Sequence, residues 1–226
     1  MRFFGGHRLV LVGALALLGG CVTPPVPQVS PDAALLAKWG VADEERTPAR
    51  AALLVPEAAR DAVADVRFGG SAVVMQVQAG AIVAAAMKVA LGDGLQGGVQ
   101  QVSAAPTRGD RYDAMLVIES VRFGFDRKFL WLIPIPVPFF PFILPLEKFE
   151  VSTTLVVELR VLDAQGRPAW MRSYLDDAGR FEVVAGNELK ESFGRVAHES
   201  AARLSRQALG DLRGWLVAER RKPREM

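Results

Sequence analysis

The chain has 226 residues, half of them hydrophobic, with 27 Lys and Arg against 25 Asp and Glu and a formal charge of only +2. A balance so near zero excludes recruitment to nucleic acid by bulk charge, and the length suits one domain or one domain with appendages. A single cysteine excludes an intrachain disulfide, so stability must come from a packed core.

The N-terminus opens with Arg2 and Arg8 and no acid, followed by an uncharged apolar run from Leu9 to Leu18, then Gly19, Gly20 and Cys21. A basic start, a short apolar stretch and small residues before a cut is the order of a secretory signal peptide. The apolar run with its glycines holds about twelve residues, where a membrane span needs roughly twenty. Leu18-Gly19-Gly20-Cys21 also resembles the lipobox of bacterial lipoproteins. That resemblance implies that the Cys21 thiol is diacylated, that the chain is cut just before it, and that the new amine is acylated. Two or three acyl chains anchor stably where one binds only marginally. Val22 follows in place of an aspartate, which by resemblance to the sorting rule of Gram-negative lipoproteins directs the protein to the periplasmic face of the outer membrane. Loss of residues 1–20 also removes Arg2, Arg8 and one of the two histidines, leaving 25 basic and 25 acidic residues. The expected organisation is signal peptide 1–20, acylated tether and short helix 21–48, periplasmic domain 49–217 and basic tail 218–226.

Val22 to Pro31 contains Pro24, Pro25, Pro27 and Pro31 and reads as an extended tether. Ala33 to Trp39 suits a short helix. Ala51 to Val55, closed by Pro56, suits a short buried strand, and Ser71 to Val77 either a strand or the start of the next helix. Ala79 to Leu91 is an alanine-rich helix stopped by Gly92 and Gly94. Gly97 to Ser103 is a weak strand.

Two stronger strands follow. Asp113 to Phe125 carries Met115, Val117, Val121, Phe123 and Phe125 at a two-residue period. Val151 to Asp163 carries Val151, Thr153, Leu155, Val157, Leu159 and Val161 on one face and Ser152, Thr154, Glu158 and Arg160 on the other. Such alternation suits a sheet with one face covered and one wet. Ala164-Gln165-Gly166-Arg167 is a turn, and Ala169 to Leu175 pairs back as a hairpin strand. Asn187 then caps a long helix, with Glu188 and Glu191 near its first turn. Leu189, Phe193, Val196, Ser200, Leu204, Ala208, Leu212 and Trp215 follow helical spacing along it, and Arg220 to Arg224 form a frayed tail.

This order predicts an α+β fold: an antiparallel or mixed sheet of about four to six strands with one face covered by two helices. The layout from Ala51 to Leu216 resembles small envelope lipoproteins such as the curli-secretion lipoprotein and activators of penicillin-binding proteins. They share the tethered N-terminus, the paired strands at 113–125 and 151–163, the Gln165-Gly166 turn and the closing amphipathic helix. The resemblance is one of layout rather than of a motif.

All eighteen residues from Phe129 to Leu146 are apolar or proline, bounded by Arg127 and Lys128 before and Glu147 and Lys148 after. The length matches a membrane span, but Pro134, Pro136, Pro138, Pro141 and Pro145 exclude a helix and a central strand. The segment reads as an extended excursion, each arm reaching roughly 30 Å if it doubles back. Three readings compete: it fills a gap in its own core, it dips into a membrane leaflet led by Trp131, Phe139, Phe140 and Phe142, or it docks on a protein partner or a second copy.

Catalytic constellations are thin. His198, the histidine outside the signal, lies one position past the apolar stripe and reads as a partly exposed helix residue. Ser192 and Ser200 share its helix, and there is no Gly-x-Ser-x-Gly elbow. Histidine and cysteine are too few for a zinc or iron site. Asp176-Asp177 reads as a hairpin end, and Asp61, Asp65 and Asp93 lack calcium-loop spacing. The glycine clusters 68–71 and 92–98 lack phosphate-loop spacing and read as turns and a helix stop. The expectation is a protein without enzymatic activity, metal or cofactor, held to the outer membrane by acylated Cys21 and acting as an adaptor or assembly factor on an envelope partner or on itself. The alternatives are a subunit of an outer-membrane pore or secretion complex, and a periplasmic lipid-binding module.

Overall fold

Short elements crowd the first half of the chain and long ones fill the second. The computed structural model describes residues 25–39, 46–67, 73–104, 112–136, 143–184 and 188–221; for 131–136, 143–147 and 184 it describes the backbone only. In order the elements are β1 (Gln28–Val29), α1 (Ala33–Ala37), β2 (Ala51–Leu54), α2 (Glu57–Arg60), β3 (Ala64–Val66), β4 (Met75–Val77), α3 (Ala79–Gly94), β5 (Val99–Val102), β6 (Ala114–Pro136), β7 (Ile143–Asp163), β8 (Pro168–Val184) and α4 (Leu189–Arg221). The fold is α+β with two mixed sheets. One has the order β5-β2-β6-β7-β8, the other β1-β4-β3. In the large sheet β5, β2 and β6 run parallel, and β6-β7-β8 is an antiparallel meander.

The alternation in β7 sets the core. Val151, Thr153, Leu155, Val157, Leu159 and Val161 are each no more than 1% exposed, and α3 and α4 pack with that face into one apolar cluster. The α4 stripe works as its spacing predicts: Phe193, Val196, Ser200, Leu204, Ala208 and Leu212 are all buried. In β6 the two-residue period is interrupted. Ile118 pairs with Leu159 and Ser120 with Glu158, so Glu119 is an extra residue. A bulge of one residue exchanges the faces of everything beyond it. Val121 therefore joins the helix-covered core. Met115 and Val117, of the same parity, lie on the other side with Ala52 and Tyr112 in a second buried cluster. Glu119 itself pairs with Arg160 at 2.6 Å.

Several elements differ from the sequence expectation. Gln28 and Val29 are docked rather than part of a free tether: Val29 is 4% exposed and β1 pairs with β4 in parallel. α2 and β3 are too short to leave a periodicity. Gly80 admits α2 closely, since a Cβ there would stand 2.0 Å from the Ala59 carbonyl oxygen. α3 continues past Gly92 to Gly94, and the turn that follows uses Gly98 at φ +71°. β8 runs on to Val184, so Asp176 and Asp177 sit within it, beside a register shift near Thr153, and not at a hairpin end. α4 reaches Arg221, where Arg220 is held by the Pro48 carbonyl and faces Asp113 at 3.8 Å instead of fraying. Asn187, Lys222 to Met226 and the glycines at 69 and 70 lie outside the described residues.

Candidate functional site

The apolar, proline-rich segment continues the sheet. Alternation predicts strands ending at Phe125 and starting at Val151, yet β6 and β7 stay paired until Pro136 meets Ile143. β8 accompanies them only as far as Val184, opposite Lys148, which is opposite Trp131. Beyond that line the described residues form a two-stranded ribbon of β6 and β7, extending about 17 Å at ~3.4 Å per residue.

Proline placement explains how a strand forms here. A hydrogen-bonded antiparallel pair uses the N–H of both residues, which proline lacks. Pro134 stands opposite Pro145, so theirs is a non-hydrogen-bonded pair. The pair two residues on, Pro136 with Ile143, is of the same kind. Ile133 with Leu146 and Ile135 with Leu144 then carry the ladder. The prolines at alternate positions thus occupy the sites whose N–H groups would point away from the partner strand. The exclusion of a central strand stands, because neither arm of the ribbon has a second neighbour among the described residues.

At the ribbon's base, Phe149 is buried, Phe129 lies edge-on to it at 5.9 Å, and the Arg127 guanidinium lies 5.6 Å from its ring centre. Lys148 pairs there with Glu182. Of the residues the sequence singles out, Trp131 is placed by its backbone at the start of the ribbon, while Phe139, Phe140, Phe142 and Cys21 lie outside the described residues.

His198 corrects another expectation: it is 2% exposed. Nδ1 lies 2.6 Å from the Gly194 carbonyl and Nε2 accepts the Asp32 N–H at 2.8 Å. The imidazole is therefore neutral with its proton on Nδ1, and neither nitrogen is directed at Ser192 or Ser200. It is covered because the segment from Val29 to Trp39 lies along α4. A Cβ on Gly194 would stand 3.6 Å from Val29 Cγ1, Asp32 meets His198, and the Trp39 carbonyl accepts from Arg206 at 3.3 Å. Asp32 also caps α1, accepting from Ala34 and Leu35. Replacing His198 with Phe should cost about 1–2 kcal/mol and speed hydrogen exchange at the Asp32 amide. Unchanged exchange at that amide would show that the imidazole does not hold the segment.

Other polar groups are structural in the same way. Arg203 grips Asp176 through two hydrogen bonds of 3.1 and 2.8 Å, and Asp211 accepts from Tyr174 at 2.8 Å and pairs with Arg172 at 2.7 Å. Burial, with the nearby Asp211 carboxylate, pushes the Tyr174 hydroxyl well above its ordinary range. An open groove of about 290 Å³ between α1 and α4 is lined by Trp39, His198 and the charged Lys38, Arg195, Glu199 and Arg206. Among the described residues no cluster of His, Cys, Asp and Glu is arranged to hold a metal, and no helix is long and apolar enough to cross a membrane. The sequence offers no sign of the docked β1 beyond the β-branched Val29, and none of the Asp32–His198 contact.

No family model matches the chain, and no curated protein does. Similar solved structures include a Caulobacter crescentus CB15 protein classed provisionally as a lipoprotein, with TM-score 0.32 and 13% identity over 62% of this chain and 83% of that one. A minor lipoprotein of Acinetobacter baumannii matches with TM-score 0.34 and 11% identity over 73% and 92%. A Helicobacter pylori protein, classed provisionally as a homolog of the neuraminyllactose-binding hemagglutinin, matches with TM-score 0.37 and 9% identity over 79% and 95%. At such values the functional reading rests on this chain's own residues and geometry.

Proposed function

We propose that the chain is a non-enzymatic lipoprotein, anchored through acylated Cys21 to the periplasmic face of the outer membrane, and that it serves there as an adaptor or assembly factor. The observation that carries this reading is the ribbon. The described parts of an apolar and proline stretch, residues 129–136 and 143–146, are built as paired strands that run on beyond the reach of β8, where a soluble enzyme would have a polar turn. The described acids support it, since Asp176 and Asp211 are engaged in ion pairs within the fold rather than gathered around a cleft. The groove beside α1 is rimmed by charge and does not lie between helix and sheet, where a lipid-binding module would need its cavity. A pore subunit that joined its copies by strand pairing would meet prolines along the ribbon's edges.

The test has two arms. Cys21→Ser should abolish palmitate labelling and release the protein from the membrane fraction; normal labelling of that variant ends the lipoprotein reading. Serine at Trp131, Phe139, Phe140 and Phe142 together should leave the melting temperature nearly unchanged while abolishing crosslinks formed from the ribbon in cells. A collapse in stability would return the segment to the core.

A further inference from the structure

We infer that the β6–β7 ribbon lies in the same lipid leaflet that holds Cys21, at the boundary between headgroups and acyl chains. The inference rests on the anchored reading above and names the lipid surface, rather than a protein, as what the ribbon meets.

Direction is the first ground. The N-terminal segment advances along α4 in step with it: Val29 lies at Gly194, Asp32 at His198 and Trp39 at Arg206. Followed backwards, the described chain from Gln28 to Pro25 therefore heads toward the N-terminal end of α4. At that end Phe193 packs edge-on against Phe125 and Phe181, and beyond Phe125 β6 continues into the ribbon. The opposite end of α4 faces Pro48 and Asp113, at the start of β6. Tether and ribbon leave the domain from one end.

Reach is the second ground. From Cys21 to Gln28 the chain spans at most about 25 Å. From Phe125, at the level of Phe193, β6 runs on to Pro136, about 37 Å. The ribbon outreaches the tether, so a domain held at Cys21 brings the ribbon to the leaflet.

Hydrogen bonding is the third. Backbone donors with no partner are what keep open sheet edges out of lipid. In the ribbon the non-hydrogen-bonded positions are Leu132, Pro134, Pro136, Ile143, Pro145 and Glu147, and three of these six carry no N–H to leave unpaired. The ladder pairs between them satisfy one another. The outward carbonyls still need water, which sets the depth at the hydrated boundary and not the hydrocarbon centre. The same missing donors make the ribbon's edges a poor template for a strand-adding partner or a second copy. Arg127 and Lys128 on one arm and Glu147 and Lys148 on the other close the apolar stretch with charge at the ribbon's base.

The full acylated protein in vesicles of phosphatidylethanolamine and phosphatidylglycerol tests this. With Cys21 blocked by lipid, Ile135→Cys supplies the one free thiol for an environment-sensitive fluorophore, and Leu144→Cys repeats the measurement on the other arm. Gln165→Cys, in the turn at the far end of β7, is the reference. Lipids carrying a nitroxide near the headgroup should quench the label at 135 and at 144 several-fold more than the label at 165. Equal quenching in a protein that floats with the vesicles overturns the inference and leaves the anchor standing. A label shielded from aqueous iodide yet untouched by the nitroxide assigns the ribbon to a protein or a second copy, and also overturns it. Protein whose mass shows no acyl chain on Cys21 overturns the anchored reading and this inference with it.

Discussion

Phe193→Ala should destabilise the domain by about 3–5 kcal/mol, the usual cost of truncating a fully buried aromatic residue. Phe193 is 0% exposed and stands edge-on to Phe125 at 5.5 Å and to Phe181 at 4.9 Å. One ring thus joins the first turns of α4 to β6 and β8 at once. A domain is typically stable by only ~5–15 kcal/mol, so the loss takes much of the total and should lower the melting temperature by roughly 10 °C. Phe193→Leu should recover more than half of it. Urea denaturation of the three proteins checks the expectation, and a loss below about 1 kcal/mol for the alanine variant would mean that contacts elsewhere hold helix to sheet.

The second large effect lies in the ion pair under α4. Asp176 is 8% exposed, and burial alone would disfavour its charge. The two Arg203 hydrogen bonds, the Ser200 hydroxyl, the Arg203 charge and the Ala178 N–H outweigh burial and hold the carboxyl below its ordinary range. A carboxyl whose folded value is depressed contributes stability that is fully present above its unfolded value, about 3.9, and is lost as pH falls through the folded value. Asp176→Asn removes the charge and leaves Arg203, 37% exposed at its side chain, without its anionic partner. The expected cost at pH 7 is about 2–3 kcal/mol, below that of a wholly buried pair because Arg203 keeps some water. The gap between wild type and variant should stay level down to about pH 5 and narrow below about pH 4. A gap that widens in acid would contradict the assignment.

Much of this architecture is written in residue periodicity. The six inward positions of β7 and the stripe on α4 are legible because burial on one face imposes a repeat of two or of 3.6 residues. Three features are not legible, for separate physical reasons. The bulge at Glu119 leaves the spacing of apolar residues in β6 intact while exchanging their faces, so Met115 and Val121 look equivalent in the sequence and lie on opposite sides of the sheet. The ribbon hides behind the rule that proline breaks strands, which holds only where the missing N–H belongs to the ladder. Buried His198 depends on Asp32 from far along the chain, and a contact of that kind leaves no local pattern. As for the proline-rich segment, the sequence marks its composition and its bounds, and pairing register adds what composition lacks: which residues face each other and which backbone groups are left over.

The Asp32–His198 bond joins residues 166 apart, and Trp39–Arg206 and Pro48–Arg220 span similar distances. Closing such loops costs chain entropy before any contact repays it. The segment from Gln28 to Trp39 finds part of its place on β4, but it is fully seated only once α4, far along the chain, has formed.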